Sequence, residues 1–256
     1  MRFAQHDFSD HTGGFMKLFY FSQDWWQLVL LALACYLVGS VNFARLISRS
    51  KNKDITTVGS GNPGTMNMSR TFGWKVGMLT FFCDAAKGGA PTLIGFFLYR
   101  NYMFAGTEML MADFMRYFCG LFVIIGHIFP ITMRFKGGKG IASTLGMFWF
   151  GLSCEWAWWS LIVLGLLLLV VLFIYCSEWG SMGSLLGVTG LSVIQMSIFF
   201  LRYVETPINA YLVCTYMFIL AINLLTWIAH YQNLTRLFAG EEHHTSLKKM
   251  IKKKKA

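Results

Sequence analysis

The sequence predicts an all-α integral membrane protein of about seven transmembrane helices, one of them short, with the N-terminus outside and the C-terminus cytoplasmic. Three observations predict it. Of 256 residues, 55% are hydrophobic and 13% charged, and the mean hydropathy is +0.52; a soluble domain carries about twice that share of charge. Apolar runs close to the roughly 20 residues that cross a bilayer recur along the chain. The 22 lysines and arginines gather in particular connections between those runs. One polytopic domain over 26–242, with an extension at 1–25 before it and a basic tail at 243–256 after it, accounts for the chain.

In order, the runs are Trp26–Ile47, Trp74–Tyr99, Phe114–Phe135, Trp156–Cys176, Met182–Leu201 and Ile208–His230. Each is bounded by polar or aromatic residues suited to a membrane interface. Six crossings would place the basic tail opposite the other basic connections. Arg45, Arg49, Lys51, Lys53, Arg70 and Lys75 flank the first connection, Arg134, Lys136 and Lys139 mark the third, and Arg236, Lys248, Lys249 and Lys252 to Lys255 fill the tail. These 16 of the 22 cations belong together on the cytoplasmic side. An odd number of crossings resolves the conflict, and the remaining apolar piece is Ile141–Phe150, continuing to about Trp156. It is short for a full crossing, so it reads as a tilted or broken helix whose ends are covered by protein.

The six cysteines lie in or beside apolar runs, with no C-x-x-C and no clustering with histidine. They read as small hydrophobes, and no metal-ligand spacing is present. Ala32-Leu33-Ala34-Cys35 has the look of a lipoprotein cleavage site, but Asp24 stands where a basic leader would be, so it reads as the middle of the first helix. No metal, organic cofactor or nucleic-acid partner is expected.

Chemistry is concentrated in three connections assigned to the cytoplasmic face: DITTVGSGNPGTMNMSR (Asp54 to Arg70), GHIFPITMRFKGGKG (Gly126 to Gly140) and HYQNLTRLFAGEE (His230 to Glu242). The first contains a literal G-x-G-x-x-G at Gly59, Gly61 and Gly64. A dinucleotide turn needs a hydrophobic strand entering and a helix leaving; here SRSKNKDITT enters, Pro63 interrupts, and no acidic residue follows to hold a ribose. Its small residues instead free backbone N–H groups to converge on an anion. Ser60, Asn62, Thr65 and Asn67 add hydroxyl and amide groups, and Arg70 a guanidinium suited to bidentate phosphate contact.

In the second connection Gly137, Gly138 and Gly140 surround Lys136 and Lys139, and an apolar helix opens near Ile141. A helix N-terminus behind a glycine loop with lysines is a phosphate site on physical grounds, although P-loop spacing is absent. In the third, His230 and Asn233 stand three apart, on one helical face. Asp84 and Lys87, also three apart, lie inside the second run, where charge is costly unless paired or facing a hydrated cavity; a structural ion pair and a contribution to the site both fit. His127 and Pro130 read as a helix-terminating turn.

VGSGNPG with Asn67 and Arg70, GHIFPITMRFKGGKG, and His230-x-x-Asn233 followed by Ala239-Gly240-Glu241-Glu242 resemble the three signature motifs of the bacterial membrane acyl-phosphate:glycerol-3-phosphate acyltransferases, the PlsY type. Gly39-Ser40 and Asp84-x-x-Lys87-Gly88 extend the likeness, which runs from about Tyr36 to Glu242. The resemblance implies a seven-helix enzyme of the bacterial cell membrane with its site on the cytoplasmic face. Its reaction would move a fatty acyl group from acyl phosphate to the 1-hydroxyl of glycerol 3-phosphate, giving lysophosphatidic acid and inorganic phosphate. Its functional positions fall on Ser60, Arg70, Lys139, His230 and Asn233, its phosphate loop on Gly137, Gly138 and Gly140, and a structural acid on Glu242. Gly59, Gly61, Asn62, Asn67 and Lys136 join the expected phosphate-binding set, and Asp84, Lys87 and His127 the supporting one.

Departures from the family pattern lie at Thr65 and Met66, where G-A-T-N is usual, and at Ala229, Tyr231 and Gln232, where basic residues flank the histidine and an acid precedes the asparagine. They bear on substrate affinity and specificity. Acyl phosphate is an activated anhydride, so positioning and charge stabilisation should supply most of the acceleration. Either His230 or a substrate phosphate would take the hydroxyl proton. Two other classes compete: an anion transporter, which would want its site at mid-membrane between related halves, and a lipid-binding scaffold, which explains the lysine tail but not the glycine loops.

Overall fold

The computed structural model describes residues 16–154 and 156–241. Among these residues the helices are α1 (Phe21–Ser40), α2 (Phe43–Arg49), α3 (Thr65–Phe72), α4 (Trp74–Tyr99), α5 (Met111–Ile128), α6 (Ile141–Ser153), α7 (Trp159–Ser177), α8 (Gly180–Tyr203), α9 (Ala210–Ala229) and α10 (Tyr231–Phe238). Among the described residues, five segments are long and apolar enough to cross a membrane: Phe21–Arg49, Met111–Met133, Trp159–Ser177, Gly180–Tyr203 and Ala210–Ala229. The short apolar run is α6, of 13 residues. The run Trp74–Tyr99 is α4 with the same bounds, made less apolar by Lys75, Asp84, Lys87 and its glycines.

Two short strands correct the all-α expectation. β1 (Lys17–Phe19) pairs in parallel with β2 (Tyr102–Phe104). Phe19 is buried edge-on against Phe104, ring centroids 5.6 Å apart, and against Tyr99. Residues 17–25, read from sequence as an extension, therefore supply a strand and the first turn of α1. Three residues of alternation are too few to announce a strand.

A second correction concerns the first apolar run, which is two helices. At Val41 and Asn42 the backbone turns extended, and the groups freed there find partners: Asn42 Oδ1 accepts from Arg45 N at 2.8 Å, capping α2, and the Lys87 ammonium donates to Val41 O at 2.6 Å. α5 likewise stops at Ile128, well short of Phe135, because Phe129 and Pro130 leave helical geometry and a 3₁₀ turn follows at Ile131–Met133.

Helices α1 and α5 cross at backbone contact. A Cβ on Gly39 would overlap the Val123 carbonyl, and one on Gly126 the Tyr36 carbonyl; small residues are what permit such approach between membrane helices. Gly88 and Gly146 do the same for α4 and α6, against Ser143 and Ala85. Gly39→Ala is expected to cost about 1–3 kcal/mol through overpacking, read as a lower unfolding midpoint in detergent. By contrast, α7 buries only Val163. Arg116 and Arg202, cations the sequence leaves off the cytoplasmic side, both pair with Asp113, at 3.0 and 2.9 Å, where Tyr203 also donates at 2.6 Å.

Candidate active site

A cavity of about 460 Å³ is lined by residues from all three glycine-bearing connections. Ser60, Asn62, Thr65, Met66 and Arg70 form one wall; Lys139, Gly140 and Ile141 a second; Gly180, Ser181, Ser184, His230, Asn233 and Arg236 a third. Below them the lining turns apolar, with Met78 and Phe81 of α4, Leu145 of α6, and Leu167, Val170, Val171 and Ile174 of α7. A polar mouth over an apolar slot suits a ligand that is ionic at one end and hydrocarbon at the other.

The first wall is organised by Asn67, buried at 1% exposure. Its Oδ1 accepts from Ser60 N at 3.1 Å, and its Nδ2 donates to Ile55 O and Val58 O at 3.2 and 2.9 Å. Asn67 borders the cavity, yet its polar atoms are spent on the loop. Gly59, at φ +61°, turns the chain where any Cβ would strike Asn67 Oδ1. Gly59 and Gly61 thus shape the loop without lining the cavity.

The second wall corrects the phosphate-loop expectation. Gly137 N donates to Ile128 O at 3.0 Å and Gly138 N to His127 O at 3.2 Å, so both amides are engaged by the end of α5. Neither glycine lines the cavity, and Lys136 is exposed away from it. What reaches the cavity is Lys139, followed by Gly140 at φ +82° and the first residues of α6.

The third wall centres on Asn233. Its Oδ1 accepts from Lys139 Nζ and, at 2.9 Å, from Arg236 Nη2, while its Nδ2 donates to Ser181 Oγ. Two cations thus meet at one neutral oxygen. His230 is not on a helical face with Asn233; it is the joint where α9 ends and α10 begins, and Asn233 N donates to its carbonyl at 2.8 Å. His230 Nδ1 lies 2.7 Å from Thr226 O. A carbonyl only accepts, so the proton is assigned to Nδ1 and Nε2 carries the lone pair.

Three helices also begin at the cavity. Thr65 and Met66 open α3, Ile141 and Ala142 open α6, and Gly180 and Ser181 open α8. First-turn N–H groups lack intrahelical acceptors and carry partial positive charge. With Arg70, Lys139 and Arg236, they make the polar mouth strongly anion-attracting.

Of the residues singled out in the sequence, Ser60, Asn62, Asn67, Arg70, Asp84, His127, Lys139, Gly140, His230 and Asn233 border this cavity. Lys87 is held beneath it by Asp84 and Val41 O. Glu242 lies outside the described residues. Sequence reading missed Arg236 and Ser181 as site groups; the spacing of His230, Asn233 and Arg236, each three apart, was the available signal.

The sequence pattern of the family described as glycerol-3-phosphate acyltransferase matches residues 29–240. The chain belongs to the glycerol-3-phosphate acyltransferase family. It is 32% identical to the glycerol-3-phosphate acyltransferase of Aquifex aeolicus over 218 residues, 85% of this chain and 98% of that protein. The enzyme of the same name from Gluconobacter oxydans is 34% identical, over 84% of this chain and 92% of that one. Among solved structures it resembles PlsY (YgiH), an integral membrane glycerol 3-phosphate acyltransferase. The glycerol 3-phosphate form gives a TM-score of 0.69 at 27% identity, over 88% of this chain and 98% of that one. The lysophosphatidic acid form gives 0.66 at 28%, over 85% and 95%.

Within this acyltransferase family's pattern, the departures differ in consequence. Thr65 and Met66 line the cavity, whereas Tyr231 and Gln232 are exposed outside it and Ala229 packs into the helical core.

Burial, reinforced by the charge of Lys139, pushes the His230 imidazole down from 6.5 to about 4 against the opposing hydrogen bond to Thr226. Between those two values the unfolded chain binds a proton that the folded one does not, so this residue's contribution to stability grows with pH across the window and is complete above it. The expected pH profile has no His230 limb above about pH 5. A limb near pH 6, the second ionisation of a phosphate at about 6, should persist in His230→Gln, and a limb that moves with that substitution would contradict the assignment.

Proposed function

We propose that this protein transfers a fatty acyl group from acyl phosphate to the 1-hydroxyl of glycerol 3-phosphate, at the cytoplasmic face of a bacterial cell membrane. Family membership supports the acceptor and the acyl transfer. The observation that carries the reading is one cavity where three helix N-termini and three cations stand over an apolar slot. Counting α4 and α6 with the five long apolar segments gives seven crossings, which puts the glycine-bearing connections and the basic tail on one side, as charge asymmetry requires.

The slot begins beside α7 and the start of α8, so the acyl phosphate lies with its chain along Val170 and Ile174 and its phosphate at Lys139, Arg236 and Ser181. Glycerol 3-phosphate then takes Arg70, Ser60 and the start of α3. Asn233, with both ends of its amide occupied, joins the acyl-phosphate side as the strut between the two cations. The glycerol oxygen attacks the acyl carbonyl carbon, the carbonyl–phosphate C–O bond breaks, and phosphate departs with the electron pair. A histidine held near 4 is a weaker base than the departing phosphate. His230 Nε2 therefore orients the hydroxyl, and its proton goes to phosphate.

Ser60 Oγ has no hydrogen bond to a histidine among the described residues, which favours direct transfer over an acyl-serine. A transporter would want its site at mid-membrane between related halves, whereas these groups come from the connections at one end of the helices. The donor is tested by supplying purified protein in detergent with labelled glycerol 3-phosphate and palmitoyl phosphate, palmitoyl-CoA or palmitoyl carrier protein in turn. Labelled lysophosphatidic acid is expected with the first alone; product from either thioester in its place would assign a different donor.

A further inference from the structure

Behind the cavity, four buried polar side chains meet, and no step above uses them. Asp84 Oδ1 lies 3.1 Å from Lys87 Nζ and 3.9 Å from His127 Nδ1, and that nitrogen is 3.3 Å from Ser143 Oγ. All four residues are at most 6% exposed. They come from α4, α5 and α6, and Lys87 ties them to the break between α1 and α2 through Val41 O. Buried charges are costly, and geometry this specific has to be held by several partners at once.

The other edge of the His127 ring faces the loop that carries Lys139. A Cβ on Gly138 would overlap His127 Nε2, and one on Gly137 would overlap the His127 carbonyl. The carbonyls of Ile128 and His127 take the N–H groups of Gly137 and Gly138. With glycine at 137, 138 and 140, the segment around Lys139 has little stiffness of its own. Its course is imposed from beneath, by the His127 ring and the last carbonyls of α5.

From this juxtaposition we infer that His127, held by Ser143 and by the Asp84–Lys87 pair, is a positioning residue that clamps the glycine loop and sets where Lys139 meets Asn233. The clamp itself stands on geometry; its effect on turnover rests on the acyltransferase reading. Asp84 and His127 also border the cavity, so the clamp lies directly behind the cation it places.

Hydrogen exchange of the full chain in detergent, read by mass spectrometry over residues 135–140, tests the clamp without reference to activity. His127→Ala should speed exchange there at least about tenfold while amides elsewhere in α4 to α6 keep their protection. Unchanged exchange over 135–140 in a variant that elutes as folded protein would overturn the clamp. Turnover tests its consequence: His127→Ala should lower kcat about 30- to 100-fold, the scale of a displacement near 1 Å, with both KM values within about threefold, and His127→Asn should recover part of the loss. A loosened loop with wild-type kcat would overturn the link to catalysis. If His127→Ala does not fold, Ser143→Ala removes only the ring's hydrogen-bond partner and supports the same comparison. Loss of all turnover in the wild type would count against the acyltransferase reading and leave the exchange result to decide the clamp.

Discussion

Replacing Lys139 by alanine is expected to lower kcat by about 10²- to 10³-fold, the usual effect of deleting one preorganised donor to developing charge. In the proposed reaction the leaving group is a phosphate, and Lys139 is the cation that the loop delivers to the start of α6. Stability should change little. Asn233 Oδ1 accepts from both Lys139 and Arg236, so it keeps a donor when one is removed. Lys139→Arg should not restore turnover, because the longer planar fork does not fit the place of a compact ammonium beside Asn233. Steady-state kinetics together with unfolding midpoints in detergent check both halves of this expectation; a folded Lys139→Ala protein with wild-type kcat would contradict it.

The second large effect is a crossed pattern between Arg236 and Arg70. Both line the cavity, Arg236 from α10 where it meets Asn233 and Arg70 from α3. Arg236→Ala should reduce kcat/KM for acyl phosphate by about 10- to 100-fold and leave the KM for glycerol 3-phosphate nearly unchanged; each factor of ten corresponds to about 1.4 kcal/mol. Arg70→Ala should do the reverse. Lysine at position 236 should recover part of the loss, since charge survives while bidentate geometry does not. If both substitutions raise the same KM, the two phosphates are not divided between the walls as argued.

Much of this was legible in the sequence, for identifiable reasons. Long apolar runs record burial in lipid directly, so α4 has the bounds of its run, and α7, α8 and α9 differ from theirs by a few residues. What was lost was local. The break at Val41–Asn42 depends on Lys87, 46 residues away, satisfying a freed carbonyl, and no periodicity registers that. β1 forms because Phe19 finds Phe104, a contact that alternation over three residues does not reveal.

The site shows the same division. Glycine-rich connections pointed to the segments that border the cavity, because glycine, serine and asparagine beside cations have few other uses at a membrane surface. They did not distinguish glycines that open the backbone to a ligand from glycines that let two backbones touch. Gly137 and Gly138 are of the second kind. Asn67 was likewise legible as a polar group but not as a loop brace. Arg236 was counted as a topology-setting charge, and only the fold turns it towards Lys139. Ser181 belongs to a helix start with no motif of its own.

In the proposed reaction both substrates occupy the cavity together and the acyl group passes directly between them. Purified protein in detergent, mixed rapidly with palmitoyl phosphate, should release no inorganic phosphate above the spontaneous rate until glycerol 3-phosphate is added, and then phosphate and lysophosphatidic acid should appear in equal amounts. A burst of phosphate matching the enzyme concentration without glycerol 3-phosphate would mean an acyl-enzyme, with Ser60 as its first candidate, and would contradict direct transfer.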